Sequence, residues 1–503
     1  MAGVFRGGAN DPGYIFVLFM VPGQLGGGKQ MTAITATSGA GRLAVGAAYD
    51  GSLIEELPLD DLAAVEGALA DATRLFHDRD GWLTIERRVN IFRRAAAIMR
   101  ERTEALTLQA AREGGKPYMD SLIEVERAID GLEVCIEMMR GESGEVIPMG
   151  INGPSQGRVA FTRREPIGVV VAVSAFNHPL NLIVHQVAPG IAAGCPVIVK
   201  PAPDTPLSCK AFVEILHEAG LPPAWCRMIL TDEIDVAEAL VTDPRVAFFS
   251  FIGSARVGWL LRSKLAPGTR CALEHGGAAP VIVAADADMD DAIPRLTKGG
   301  LYHAGQVCVS VQRVFAHADI AESLAADIAD LAGKLVVGDP MDKKTEVGPL
   351  IRPGEVDRVA EWVTEAVEGG AKLLTGGKKI SDTCYAPTVL YDPPAEARVS
   401  NAEIFGPVVC VYPYTDLDRA IEKANALPFA FQASVFTRDI DIAMRAFARL
   451  DASAVMVNEH TAFRVDWMPF AGLRQSGLGV GGIPHTFHDM SIEKMMVLRS
   501  GEL

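Results

Sequence analysis

Gly168-Val-Val-Val-Ala-Val-Ser-Ala175 is a continuous apolar, β-branched run. Three more follow at intervals: Pro196-Val-Ile-Val-Lys200, Val246-Ala-Phe-Phe-Ser-Phe-Ile252 and Ala279-Pro-Val-Ile-Val-Ala-Ala285. Unbroken apolar strands separated by helical stretches read as a parallel sheet covered on both faces, because alternation is lost when neither face meets water. Right-handed crossovers between such strands give a doubly wound, Rossmann-like α/β domain.

Upstream, the stretch from about Leu59 to Arg140 repeats apolar residues every three or four positions between charges, which predicts helices. Gly141 to Gly157 is rich in Gly and Pro and reads as a connection. Downstream, 311–317, 407–414 and 453–458 read as strands and 356–371 as a helix. These belong to a second α/β domain. A chain of 503 residues fits this division, since single cores stop growing at about 250–300 residues.

A formal net charge of −16 argues against binding to nucleic acid or to anionic membranes. The eight cysteines (135, 195, 209, 226, 271, 308, 384 and 410) include no CxxC pair, so neither a zinc site nor a disulfide framework is expected. Reduced thiols in the cytoplasm fit best. The apolar run Tyr14–Val21 is too short to span a bilayer, and no A-x-A cleavage site follows it. Residues 1–30 read as a disordered or artefactual extension.

Several strand ends carry chemistry. Strand 246–252 runs into Gly253-Ser254-Ala255-Arg256-Val257-Gly258. Free N–H groups at a helix start can seat a pyrophosphate, although an ordinary tight turn has the same look. Lys200 ends another strand, where a ribose or phosphate is one reading and a solvated lysine the other. Asn177 follows strand 168–175, either as an oxyanion donor or as a turn cap. Glu274 lies among apolar residues and glycines, as a buried base or half of an ion pair. Cys308 follows Gly305, as a nucleophile or a structural thiol.

Taken together, REPIGVVVAVSAFNHP (164–179), KPAPDTP (200–206), FIGS (251–254), LEHGG (273–277), GQVC (305–308), EIFGPV (403–408) and MPFAGLRQSGLG (468–479) resemble the aldehyde dehydrogenase superfamily. The resemblance covers nearly everything after residue 58. It implies Cys308 as nucleophile, Glu274 as general base, and Asn177 with the Cys308 backbone N–H as oxyanion hole. It also implies Lys200, Gly253 and Ser254 on the adenosine and pyrophosphate of NAD or NADP, and Glu403 and Phe405 at the nicotinamide. The glutamate favours hydrolysis to a free acid over transfer to a thiol. No metal is implied.

The same resemblance implies three parts: a cofactor domain of 31–148 and 168–273, a catalytic domain of 274–465, and a small β oligomerisation element of 149–167 with 485–503, in a homodimer or homotetramer. His178, Arg464 and Phe470 fall on the substrate tunnel, with Asp466 near them. A small hydroxylated or acidic aldehyde is therefore expected, and an apolar or aromatic aldehyde is the alternative. Pro203 stands where NAD-preferring relatives often carry glutamate, so NADP should be tolerated, although Asp204 next to it could oppose this. Outside the family, the rivals are a cofactor-independent thiol hydrolase built on Cys308 and a catalytically idle NAD-binding or scaffold protein.

Overall fold

The four quoted runs form strands Val169–Val173, Val197–Lys200, Val246–Ile252 and Ala279–Val283 in a computed structural model that describes residues 41–502. The reading of residues 1–30 lies outside those residues. The first three strands are almost wholly buried, as runs without polar alternation require.

The first sheet has six strands in the order Gly477–Leu478, Arg270–Glu274, Val246–Ile252, Val169–Val173, Val197–Lys200, Cys226–Met228. All are parallel except Gly477–Leu478, which pairs antiparallel to Arg270–Glu274 at the edge. From Val169–Val173 the chain builds outward to one side and then returns to build on the other. Val169–Val173 and Val246–Ile252 thus flank the point where strand order reverses, and ligands in such sheets bind beyond the carboxyl ends there. Gln186 ties the two strands at that end, donating to the carbonyls of Val173 and Ser250, both at 3.1 Å.

Helices 62–77, 85–101, 103–114 and 118–141 fill the predicted helical region. Asp61 and Thr84 cap the first two by accepting from Ala64 and Arg87 backbone N–H groups. The hairpin Arg42–Gly46 with Leu53–Pro58 precedes them.

Ala279–Val283 belongs to a second, seven-stranded sheet. Its order is Lys372–Thr375, Thr388–Tyr391, Val408–Tyr414, Val311–His317, Ala279–Val283, Gln432–Phe436, Ala454–Val457. A third sheet pairs Ser491–Arg499 antiparallel with Arg158–Pro166, which also carries Val146–Ile147. Among the described residues no helix is long and apolar enough to cross a membrane.

Candidate active site

After helix Met289–Leu301 the backbone turns left-handed at His303 (φ 50°), Ala304 (φ 52°) and Gly305 (φ 69°). Two non-glycine residues in this region are strained and must be held by their surroundings. Gly305 lies against the Gly406 backbone, leaving no room for a side chain. Gln306 fixes the turn. Its amide donates to the carbonyls of His303 (3.3 Å) and Pro349 (3.2 Å), and its oxygen accepts from Ile351 N–H (2.9 Å).

Cys308 then lies partly buried against a cluster of Val307, Val309, Phe431 and Phe470. Burial pushes its thiol up to about 12, with Arg464 the main opposing influence. Asn177 reaches in from the end of strand Val169–Val173 and donates from Nδ2 to the Gln306 carbonyl at 2.8 Å. A carboxamide has two N–H groups, and this bond uses one.

Glu274 ends strand Arg270–Glu274, whose edge partner is Gly477. Its carboxylate abuts Gly481, which exchanges backbone hydrogen bonds with Phe470 at 2.7 and 3.0 Å. Burial raises the Glu274 pKa, again against Arg464. The charges of Cys308 and Glu274 thus share one cation as neighbour.

Arg464 lies with its guanidinium carbon 3.6 Å over the Phe470 ring. It makes no ion pair among the described residues, and its buried Nε has no partner. A chain of hydrogen bonds aims it. Asp466 takes a two-pronged bond from Arg127 at 2.7 and 3.0 Å and meets His185 Nε2 at 2.6 Å. With Nε2 donating to that carboxylate, Nδ1 is left as an acceptor, 3.3 Å from Arg464 Nη2. Burial raises the Asp466 carboxyl, but His185 and Arg127 outweigh this and hold it far below the usual range. Asp466, expected on the tunnel wall, is therefore not available to substrate. It is consumed in orienting the cation, and Asn181 bonds it as well at 3.2 Å.

The remaining residues lie around the strand ends. Gly253 N–H donates to the Glu274 carbonyl at 3.0 Å, so the glycine turn and the glutamate are one hydrogen bond apart. Exposed Ser254 stands at the N-cap of helix Ala255–Ser263, where its side chain caps no N–H group; its carbonyl takes the Val257 and Gly258 N–H groups, and those of Ala255 and Arg256 are left open. Lys200 is 9% exposed, donates to the Pro201 carbonyl at 3.4 Å and makes no ion pair among the described residues, and burial pulls it down to about 8. Glu403 accepts from Gly277 N–H at 3.2 Å, and burial raises it to about 8. Its carboxylate occupies the space a side chain at Gly276 would fill. Phe405 is held at φ 46°, edge-on to Phe176 at 5.9 Å. The open helix terminus, the buried unpaired lysine and this glycine cradle fit a dinucleotide.

An aldehyde dehydrogenase family model matches residues 34–496. The chain belongs to the aldehyde dehydrogenase family. It is 38% identical to the 3-sulfolactaldehyde dehydrogenase of Priestia megaterium, over 82% of this chain and 86% of that protein. It is 34% identical to the lactaldehyde dehydrogenase of Methanocaldococcus jannaschii, over 83% and 89%. Among solved structures, aldehyde dehydrogenase 21 of Physcomitrella patens, in complex with the reaction product succinate, superposes with a TM-score of 0.88 at 34% identity, covering 92% of this chain and 96% of that one. The NADP complex of glyceraldehyde-3-phosphate dehydrogenase GapN from M. jannaschii gives 0.87 at 32%, covering 91% and 99%.

Membership in this family sets aside the cofactor-independent hydrolase. Sequence reading missed Arg127 and His185, whose contacts with Asp466 span 339 and 281 residues of chain. It also missed Arg358, which donates to the Ile404 carbonyl at 2.7 Å and so steadies the segment between Glu403 and Phe405. A helix position facing a loop from another element leaves no local signal.

Proposed function

We propose that this family member oxidises a small acidic or hydroxylated aldehyde to its carboxylic acid through an acyl-enzyme on Cys308. The cation of Arg464, aimed by Asp466 and His185 yet paired with no carboxylate, carries the acidic part of this reading. Such a charge, stacked over Phe470 beside Cys308, suits the carboxylate or sulfonate of a short substrate. Relatives named for sulfolactaldehyde and for a succinate complex agree with it.

Cys308 gives its proton to solvent and attacks the aldehyde carbon as the thiolate, and the new oxyanion takes hydrogen bonds from the second Asn177 N–H and the Cys308 backbone N–H. Lys200, Gly253, Ser254, Glu403 and Phe405 would hold NAD or NADP, which when bound supplies the hydride acceptor. Glu274 then takes a proton from water as that water attacks the thioester. Glu274 suits this role because burial leaves it a stronger base than an exposed glutamate.

Arg464→Met keeps the stack on Phe470 but removes the charge. It should lower kcat/KM for succinic semialdehyde about 30-fold and for propanal less than about threefold, since a charge-assisted hydrogen bond contributes about 1.5–3 kcal/mol. Equal losses on both substrates would count against an anion site.

NADP is accepted in this reading. Pro203 offers no carboxylate, and that of Asp204 is already bound by both Nε (2.9 Å) and Nη2 of Arg352. Pro203→Glu should shift the NAD/NADP ratio of kcat/KM towards NAD by about tenfold or more. An unchanged ratio refutes this.

We further propose a homo-oligomer, dimer or tetramer, in the reducing cytoplasm. Strand Ser491–Arg499 leaves Met495, Met496, Val497 and Leu498 exposed at a sheet edge, a surface that a second copy would cover. None of the eight cysteines is in a disulfide.

A further inference from the structure

His275, next to Glu274, is buried, and its Nδ1 lies 2.9 Å from the Gly253 carbonyl. A carbonyl can only accept, so the ring carries its proton on Nδ1. Nε2 is then a bare acceptor, buried and without a partner. Burial disfavours a second proton on the ring, with the Gly253 bond opposing it. An apolar side chain would fill the place without stranding Nε2, so the bond to Gly253 is what the imidazole contributes there.

That bond falls on the turn that opens helix Ala255–Ser263. Gly253 donates its N–H to the Glu274 carbonyl at 3.0 Å, and its own carbonyl accepts from His275. Both polar groups of the glycine are therefore held by consecutive residues. The ring also fills the space beside the helix, where a side chain at Gly258 would run into Cε1 and Nε2. The rings of Phe251 and Trp259 lie against it, with centroids at 5.7 and 5.9 Å, so it is held between strand Val246–Ile252 and the helix. No peptide bond is cis among the described residues, and in a trans peptide the N–H points opposite to the carbonyl. With the Gly253 carbonyl turned onto His275, the Ser254 N–H faces away from the ring. It lies at the same helix start as the open N–H groups of Ala255 and Arg256.

We propose that His275 is a positioning residue for the cofactor: it sets the Gly253–Ser254 peptide so that the Ser254 N–H meets the pyrophosphate of NAD or NADP, beside those of Ala255 and Arg256. This rests on the reading of Gly253 and Ser254 as the dinucleotide seat. His275 is not itself a ligand to the cofactor and acts through Gly253.

Titration of the full-length enzyme with NADPH and with adenosine 2′-monophosphate tests it, because the second shares the adenosine end but has no pyrophosphate. His275→Leu fills the space without the Nδ1 proton. It should raise the NADPH dissociation constant about tenfold and leave that of adenosine 2′-monophosphate within about twofold. His275→Asn places an amide N–H where Nδ1 stood and should recover most of the loss. Equal losses for both ligands, no recovery with asparagine, or an unchanged NADPH constant in His275→Leu would overturn the proposal. Ser254→Pro judges the seat itself. Residue 254 already has φ −65°, which suits proline, and the change deletes the N–H. It should weaken NADPH at least as much as His275→Leu does. NADPH binding untouched by Ser254→Pro would refute the dinucleotide seat, whereas a loss with Ser254→Pro and none with His275→Leu would refute the role of His275 alone.

Discussion

Cys308→Ala abolishes aldehyde oxidation, with a loss of at least about 10⁴-fold in kcat, because no other group in the site can form the covalent intermediate. Alanine fits the partly buried position beside Val307, Val309 and Phe470, so the fold and the strand-end cofactor site are retained. Titration of the variant with NADPH by fluorescence should give a dissociation constant within about threefold of the unaltered enzyme. Steady-state assays by reduced-nicotinamide absorbance should read no turnover. Residual turnover within a hundredfold would exclude Cys308 as nucleophile.

Glu274→Gln separates the two halves of the reaction. Acylation does not need the carboxylate as base for water, so the variant should release one equivalent of reduced cofactor in a burst and then slow by about 10²–10⁴-fold. The pH dependence has a definite sign. Burial raises the Glu274 pKa, so the unaltered enzyme loses deacylation rate as pH falls through a value above that of an ordinary glutamate. Below it the carboxyl is protonated and cannot accept the proton from water. That acid limb should vanish in the glutamine variant. A full-speed steady state after the substitution would remove Glu274 from the mechanism.

The strands that build the cofactor sheet were legible because burial on both faces writes itself locally, as unbroken apolar runs. The residues at their carboxyl ends, Asn177, Lys200, Gly253 and Glu274, were legible from the change of residue type where each strand stops. Other features leave no such trace. The hairpin Arg42–Pro58 has short, mixed strands, and strand Gln432–Phe436 contains polar residues that are buried by its place between two other strands of the second sheet. The orientation of Arg464 depends on His185 and Asp466, whose partnership is set by the fold. From sequence alone, Asp466 was as good a tunnel residue as Arg464, and only the bonds from Arg127 and His185 separate their roles. Asp204 likewise looked free until Arg352, 148 residues away, was found bound to it.

The covalent bond to Cys308 is the claim on which the rest depends, and peptide mass mapping tests it most directly. Glu274→Gln enzyme mixed with succinic semialdehyde and NADP, quenched in acid after the burst and digested, should carry one acyl group. Its mass should be that of the aldehyde less two hydrogens, on the peptide containing Cys308 and on no other. Oxidised product formed with that peptide unmodified, or an adduct on a different cysteine, would contradict the account.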